Sequence, residues 1–356
     1  MNFDFSEDEK LVQDQVARLL GDRCGSDVVR RVLDGEADHA SDVWQGLIEM
    51  GLPGTAVPAA YGGVEAGYLT LCLVAQELGR HVAPVPFSSS VYLATEALSL
   101  FGSDAQKELW LPKLACGEAV GTLAVDERET VDADGGRLSG VKVPVADGGI
   151  ANLGIVLAGG SLHLVDLNGS GVARANVETV DPTRNTAELR FDGAAAELLG
   201  EPGAGTAELK ALYDRASVLF AFEQIGGAQA ALDMAVGYAK ERFAFGRAIG
   251  SFQALKHMMA DMYVALKIAE SNCYYAAWAL ATGSEELPLA AATARVAATQ
   301  AFQLCSRDNI QVHGGMGFTW EFDCHLYYRR SNYLTLQLGG LSEWEDKLVN
   351  ALAEAA

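Results

Sequence analysis

The chain has 356 residues, half of them hydrophobic, enough for two or three compact units with sizeable cores. Aspartate and glutamate outnumber lysine and arginine 47 to 26, a formal net charge of −21, which argues against nucleic acid and anionic membrane surfaces as partners. No apolar run approaches the ~20 residues of a membrane span, the start MNFDFSEDEK has no signal-peptide pattern, and the scattered cysteines (24, 72, 116, 273, 305, 324) show no metal-ligand spacing. A cytoplasmic protein with reduced thiols and no metal is expected.

Ser6 and Glu9 form an S-x-x-E capping box, and Val12, Val16, Leu19 and Leu20 follow as an apolar helix face. Residues 44–50 read as a short helix, 51–63 as a glycine- and proline-rich loop, and 69–79 and 88–100 as further helices. Composition changes near Gly117. Residues 137–145, 153–157, 161–167, 172–180 and 187–191 are short, rich in valine and leucine, and separated by glycine, aspartate and asparagine. They read as strands of a small β unit ending near Gly203. After that Pro288 is the single proline, and long helical patterns cover 206–242, 252–282, 289–312 and 321 onward, a four-helix bundle. The expected fold is α+β: an N-terminal helical domain over 1–117, a middle β-barrel or sandwich over 118–203, and a C-terminal four-helix bundle over 204–356. No G-x-G-x-x-G follows a strand, so a Rossmann-type fold is not expected.

The most informative stretch is 240–262, KERFAFGRAIGSFQALKHMMADM. Arg242 falls where one helix hands over to the next, beside Phe245 and a break over 246–250. Phe252, Leu255, Met259, Met262 and Leu266 then share one helix face, with Gln253, Lys256, His257 and Asp261 opposite. An arginine at such a junction can grip a phosphate with its planar fork, or it can cap helix-end carbonyls.

RFAFGRAIGSFQALKHMMADM resembles the R-x-x-F-G-x-x-I-x-x-F-Q-x-x-x-H-x-x-A-D-M run of the FAD-dependent acyl-CoA dehydrogenase family, and QVHGGMGFTWE (311–321) resembles its Q-x-x-G-G-x-G-[FY]-x-x-E. The likeness extends thinly along the whole chain. It implies α,β-desaturation of an acyl-CoA thioester with FAD, which needs a buried carboxylate base. In this family each flavin lies between two subunits. On the neighbour's side, the resemblance implies that Arg242 meets the pyrophosphate, Phe245 packs beside the cofactor, and Gln311, Gly314 and Gly315 admit the ADP part, with Gln253 a further contact.

On the ring-holding side the sequence departs from the family. L-T-E-P-x-A-G-S-D has become Leu123-Ala124-Val125-Asp126-Glu127, without the G-S-D. In G-x-K-x-W-I-T-N, Pro144 stands for the tryptophan and Ala146 for the threonine, so an indole and a hydroxyl are missing. The usual base position falls at Leu338, before Gly339, and the alternative one on the first bundle helix at Ala216. Asp214 and Glu223 are the nearest acids there, expected as ordinary solvated helix residues; Glu343 is a more distant fallback. The expectation is a subunit that lacks its own base and completes the FAD site of a paralogous catalytic subunit in an α2β2 heterotetramer, acting on steroid-type acyl-CoA with a separate electron acceptor. A self-sufficient homotetramer with a relocated base (Asp214 or Glu343) and a non-enzymatic scaffold are the alternatives.

Overall fold

The structure is a computed structural model that describes residues 5–355. Residues 1–4 and 356, which the expected domain limits include, lie outside the described residues. In chain order the elements are α1 (Glu7–Arg23), α2 (Ser26–Leu33), α3 (Ser41–Glu49), α4 (Gly67–Arg80), a π-helical stretch (Ser88–Thr95), α5 (Glu96–Phe101) and α6 (Asp104–Ala115). The β region follows: β1 (Gly121–Ala124), β2 (Glu127–Asp134), β3 (Arg137–Ala146), β4 (Leu153–Ala158), β5 (Ser161–Asp166), β6 (Val172–Asn176), β7 (Thr186–Ala195) and β8 (Glu197–Leu199). Then come α7 (Gly205–Glu241), β9 (Phe243–Ala244), β10 (Arg247–Ala248), α8 (Gln253–Thr282), α9 (Leu287–His313), α10 (Cys324–Leu336) and α11 (Leu341–Ala355). No described helix is long and apolar enough to cross a membrane.

The chain divides into two compact units built from non-contiguous segments. One holds the described residues up to Ser26, Tyr68–Ala83 and the chain from Ser217 onward. Its first helix is started by the capping box: Glu9 N donates to Ser6 Oγ while Ser6 N donates back to Glu9 Oε2 at 2.6 Å. Helices α4 and α7 cross backbone to backbone. A Cβ on Gly79 would lie 1.8 Å from Glu223 O and one on Gly226 1.9 Å from Gln76 O, so only glycine fits at either crossing point. Met262 and Leu266 are fully buried on α8, as their spacing predicts, while Gln253, Lys256, His257 and Asp261 are exposed.

The other unit holds Asp27–Gly67 and Pro84–Ala216. It contains two four-stranded sheets, β1-β4-β5-β8 and β2-β3-β7-β6. The second is antiparallel throughout, and the first is antiparallel except for the β1–β4 pair. Inward side chains of both sheets, among them Val131, Leu138, Val156, Val165, Leu189 and Phe191, form one core. Gly121 N of β1 donates to Ser90 Oγ on the fully buried π-helical stretch at 3.1 Å.

Four local expectations are corrected. The helix expected over 88–100 is π-helical for its first eight residues. The loop over 51–63 contains two short 3-10 turns, Leu52–Gly54 and Ala59–Tyr61. Within the β region three strands lie outside the five expected, β1, β2 and β8, and β6 stops at Asn176, short of residue 180. The helix from 321 onward is two helices, parted where Leu338 (φ 62°) and Gly339 (φ 97°) turn left-handed.

Candidate functional site

The two sequence motifs come together at one end of the helical unit. Tyr238, in the last turn of α7, stacks on His313, the last residue of α9, with ring centroids 4.1 Å apart. Phe322 closes the cluster edge-on against both rings, at 5.7 and 5.5 Å. His313 is buried, and its Nδ1 donates to Asn309 O at 2.9 Å. Burial pushes its imidazole pKa below the ordinary value, against the pull of that hydrogen bond. The stack fixes Arg242, one helical turn past Tyr238, on the same corner as Gly314, the residue after His313.

Backbone groups close the end of α7. Arg242 N donates to Tyr238 O at 2.9 Å, and Ile249 N donates to Arg242 O at 2.8 Å. The Arg242 guanidinium therefore caps nothing. It is exposed and, among the described residues, makes no hydrogen bond or ion pair. The break expected over 246–250 is a small hairpin, β9–β10, followed by a 3-10 turn over Ile249–Ser251. Its two turn residues, Phe245 (φ 53°) and Gly246 (φ 78°), are both left-handed, as a two-residue primed turn requires. Phe245 is 95% exposed. A phenylalanine kept there carries a backbone penalty of roughly 1–2 kcal/mol and also leaves its ring in water. Arg247 lies over Phe252, 4.1 Å from the ring centroid, and Phe252 meets Phe245 edge-on at 6.2 Å. Gln253 opens α8 and is exposed.

Across the corner, Gln311 is exposed in the last turn of α9. Gly314 adopts φ 59°, ψ −136°, a conformation essentially restricted to glycine. A Cβ on Gly314 or Gly315 would meet nothing within 4 Å. Gly317 is different, since a Cβ there would sit 2.6 Å from Ile310 O. Gly317 is thus demanded by the protein's own packing, whereas Gly314 and Gly315 leave bare backbone facing outward.

The opposite condition holds at the end of β3. Pro144 is exposed behind a cis Val143–Pro144 bond, and Ala146 is half-buried. Lys142 is fully buried, its Nζ donating to Val125 O at 2.9 Å. Asp147 turns inward with φ 54° and meets Arg184 at 2.6 Å, both side chains almost completely buried. Ser89 Oγ donates to the same Asp147 Oδ2 at 2.6 Å, and Arg184 also donates to Ser88 Oγ at 2.9 Å. This network was not legible in the sequence, since Ser88, Ser89, Asp147 and Arg184 come from separate segments.

The candidate base positions are equally specific. Ala216 is fully buried on α7. Leu338 is half-buried, and its carbonyl accepts from Trp344 Nε1 at 3.1 Å. Glu343 is exposed at the start of α11, where its Oε1 accepts from Gly340 N at 3.4 Å, a helix-end role. Asp214 and Glu223 are not solvated, contrary to expectation: they are 5% and 3% exposed. Glu223 lies 3.5 Å from the buried Arg330 guanidinium. Arg330 also donates to Val82 O and Ala83 O, and Arg295 donates to Gln224 Oε1 and to Leu334 O and Gln337 O. Burial pulls Arg295 down to about 9, with Glu223 opposing. Glu223 is therefore the counter-charge for buried arginines.

Residues 6–118 match the acyl-CoA dehydrogenase N-terminal domain and residues 203–350 the acyl-CoA dehydrogenase C-terminal domain. The chain is 34% identical over 327 residues to the acyl-CoA dehydrogenase IpdE2 of Mycobacterium tuberculosis, covering 92% of this chain and 91% of that one. Among solved structures it is similar to a variant of the Tcur3481–Tcur3483 steroid ACAD (TM-score 0.89, 30% identity, 98% of both chains). It is also similar to the ChsE4–ChsE5 complex from Mycobacterium tuberculosis (TM-score 0.89, 27% identity, 99% of both chains).

Proposed function

The chain belongs to the acyl-CoA dehydrogenase family of FAD-dependent oxidoreductases, and we propose that it is the subunit that completes a partner's FAD site, without holding a flavin ring of its own. One observation carries the reading: the exposed Arg242 guanidinium has no partner among the described residues and sits on the corner where Gly314 and Gly315 present bare backbone.

These residues fit the ADP half of FAD. A guanidinium fork suits a pyrophosphate, side-chain-free backbone lets a dinucleotide approach closely, and Phe245 extends an apolar ring beyond the chain's own surface. Gln311 and Gln253 stand at the ends of α9 and α8 as further polar contacts. The segment around Pro144 and Ala146 does not fit the flavin ring, because it supplies neither an indole to stack nor a hydroxyl to donate. Bound FAD would supply the hydride acceptor. This chain would hold the phosphates and orient the dinucleotide, and the α-proton would go to a carboxylate of the paralogous subunit. The names of the similar proteins, a steroid ACAD and a two-component ChsE complex, support an α2β2 assembly acting on a steroid-type acyl-CoA, with a separate carrier accepting the electrons. The segments 1–117, 118–203 and 204–356 are the working domains of this reading, and the cytoplasm is its compartment.

The test is colour. Purified alone, the chain should carry little FAD, and co-purified with its paralogue it should gain one flavin per pair. One FAD per lone chain, with an ordinary flavin spectrum, would defeat the division of labour and favour the homotetramer. A flavin-free complex with every paralogue would leave only a scaffold.

A further inference from the structure

The chain leaving the Gly314–Gly315 turn carries three aromatic residues with different fates. Phe322 is half-buried in the cluster with Tyr238 and His313. Phe318 is 80% exposed and Trp320 53% exposed. Trp320 is nevertheless set in a defined attitude: its indole lies flat on His325, in the first turn of α10, with centroids 4.6 Å apart and planes 12° from parallel. Thr319 fixes the backbone between the two exposed rings, its N and Oγ1 donating to Met316 O at 3.0 and 2.8 Å. A large aromatic usually buries most of its area. Here one is oriented by a ring beneath it and still left half in water.

We infer that Trp320, held level by His325 and flanked by Phe318, is a stacking platform for the purine of the dinucleotide whose phosphates Arg242 receives. The inference rests on the function proposed above and extends it to residues outside both recognised contact sets. A flat, oriented indole suits a flat ring, since stacking rewards parallel overlap. The occupant is identified by its surroundings. Trp320 lies two residues from Phe322, the ring that ties α7 to α9, so the platform, the bare glycine backbone and a guanidinium with no partner among the described residues share one corner. A purine joined to a pyrophosphate needs these three surfaces. An exposed apolar protein contact would need neither the guanidinium nor the bare glycines.

The experiment is calorimetric titration of the full chain with ADP and, separately, with inorganic pyrophosphate, which carries the phosphates and no ring. Trp320→Ala should weaken ADP binding about tenfold, the scale of one lost base–aromatic stack, and leave pyrophosphate binding unchanged. Trp320→Phe should stay within about threefold of wild type, and Arg242→Ala should weaken both ligands. ADP binding untouched by Trp320→Ala overturns the platform while the proposed function stands, as does an equal loss for ADP and pyrophosphate. The platform also falls if Trp320→Ala loosens only association with the paralogous subunit, making the indole a subunit contact. Failure of the chain to bind ADP at all overturns the platform, and indifference of ADP to Arg242→Ala removes the phosphate-holding role on which the proposed function rests.

Discussion

At the corner where α7 and α9 end, polar groups face outward and have no side-chain partner among the described residues. At the end of β3 they face inward and are consumed. Arg242 and Arg184 show the difference in one residue type: the first is exposed without a partner among the described residues, and the second is buried against Asp147 and Ser88. The glycines follow the same division. Gly314 and Gly315 have open space where a Cβ would be, whereas Gly140 would clash with Thr130 O at 2.5 Å. An unspent group implies an external ligand, while a spent one explains itself. The proposed function accordingly uses the first corner for binding, while the second is filled by the chain's own packing.

The largest test of this contrast is catalytic. If the carboxylate base belongs to the paralogue, Asp214→Asn and Glu343→Gln should each leave turnover of the complex within a few-fold of wild type. Removing the paralogue's base should cost ~10²–10⁴-fold. A collapse caused by either substitution in this chain, with fold and flavin content unchanged, would transfer the active site here. Glu223 must be kept out of that comparison because its loss acts on stability. Glu223→Gln leaves Arg330 and Arg295 buried without their carboxylate. Breaking such a pair should destabilise the helical unit by roughly 3–5 kcal/mol, read as a lowered midpoint in urea with the slope unchanged. Unaltered stability would mean that the backbone carbonyls around the two arginines suffice.

How legible was this in the sequence? The long bundle helices were, because buried faces repeat at helical spacing over many turns: 206–242 was expected and Gly205–Glu241 is observed, and 289–312 became Leu287–His313. The edge strand β2, ERETVDAD, was not, since it has one fully buried apolar residue, Val131, and reads as a charged loop. The α10–α11 break was hidden because leucine at 338 does not announce a left-handed turn. Of the candidate site, Arg242, Gln311, Gly314 and Gly315 were legible as motif members. That Tyr238, His313 and Phe322 join the two motifs was not, because a contact across 75 residues leaves no local pattern. The burial of Asp214 and Glu223 was equally hidden, and the arginines facing Glu223, Arg295 and Arg330, come from distant segments.

A smaller effect sharpens the outward-facing corner. Arg242→Ala should release FAD from the assembled complex, since a charge-assisted contact to phosphate contributes about 1.5–3 kcal/mol. Arg242→Lys should recover part of that, an ammonium lacking the bidentate fork. Flavin dissociation measured by ultrafiltration and absorbance is the readout. Full retention in Arg242→Ala would mean that the guanidinium is unpartnered because nothing uses it.

The smallest effect comes from His313, which joins the two halves of the corner. Burial lowers its pKa below that of a free imidazole, so folding favours the neutral ring that stacks on Tyr238. A lowered folded pKa means that between the two values the unfolded chain binds more protons than the folded one. The contribution to stability is therefore complete above the free-imidazole pKa of about 6.5. It is lost as pH falls from there through the folded value. His39 and His163 are lowered by burial as well, so wild-type melting temperature should drop between pH 7.5 and 5 through several groups at once. The His313 share is isolated by difference. His313→Phe keeps an aromatic ring against Tyr238 and Phe322 but cannot titrate, so its melting temperature should fall less over the same pH range, even though loss of the bond to Asn309 O lowers it at every pH. Parallel curves for the two proteins would show that His313 takes up its proton without disturbing the stack, and the link between α7 and α9 would then owe nothing to the neutral imidazole.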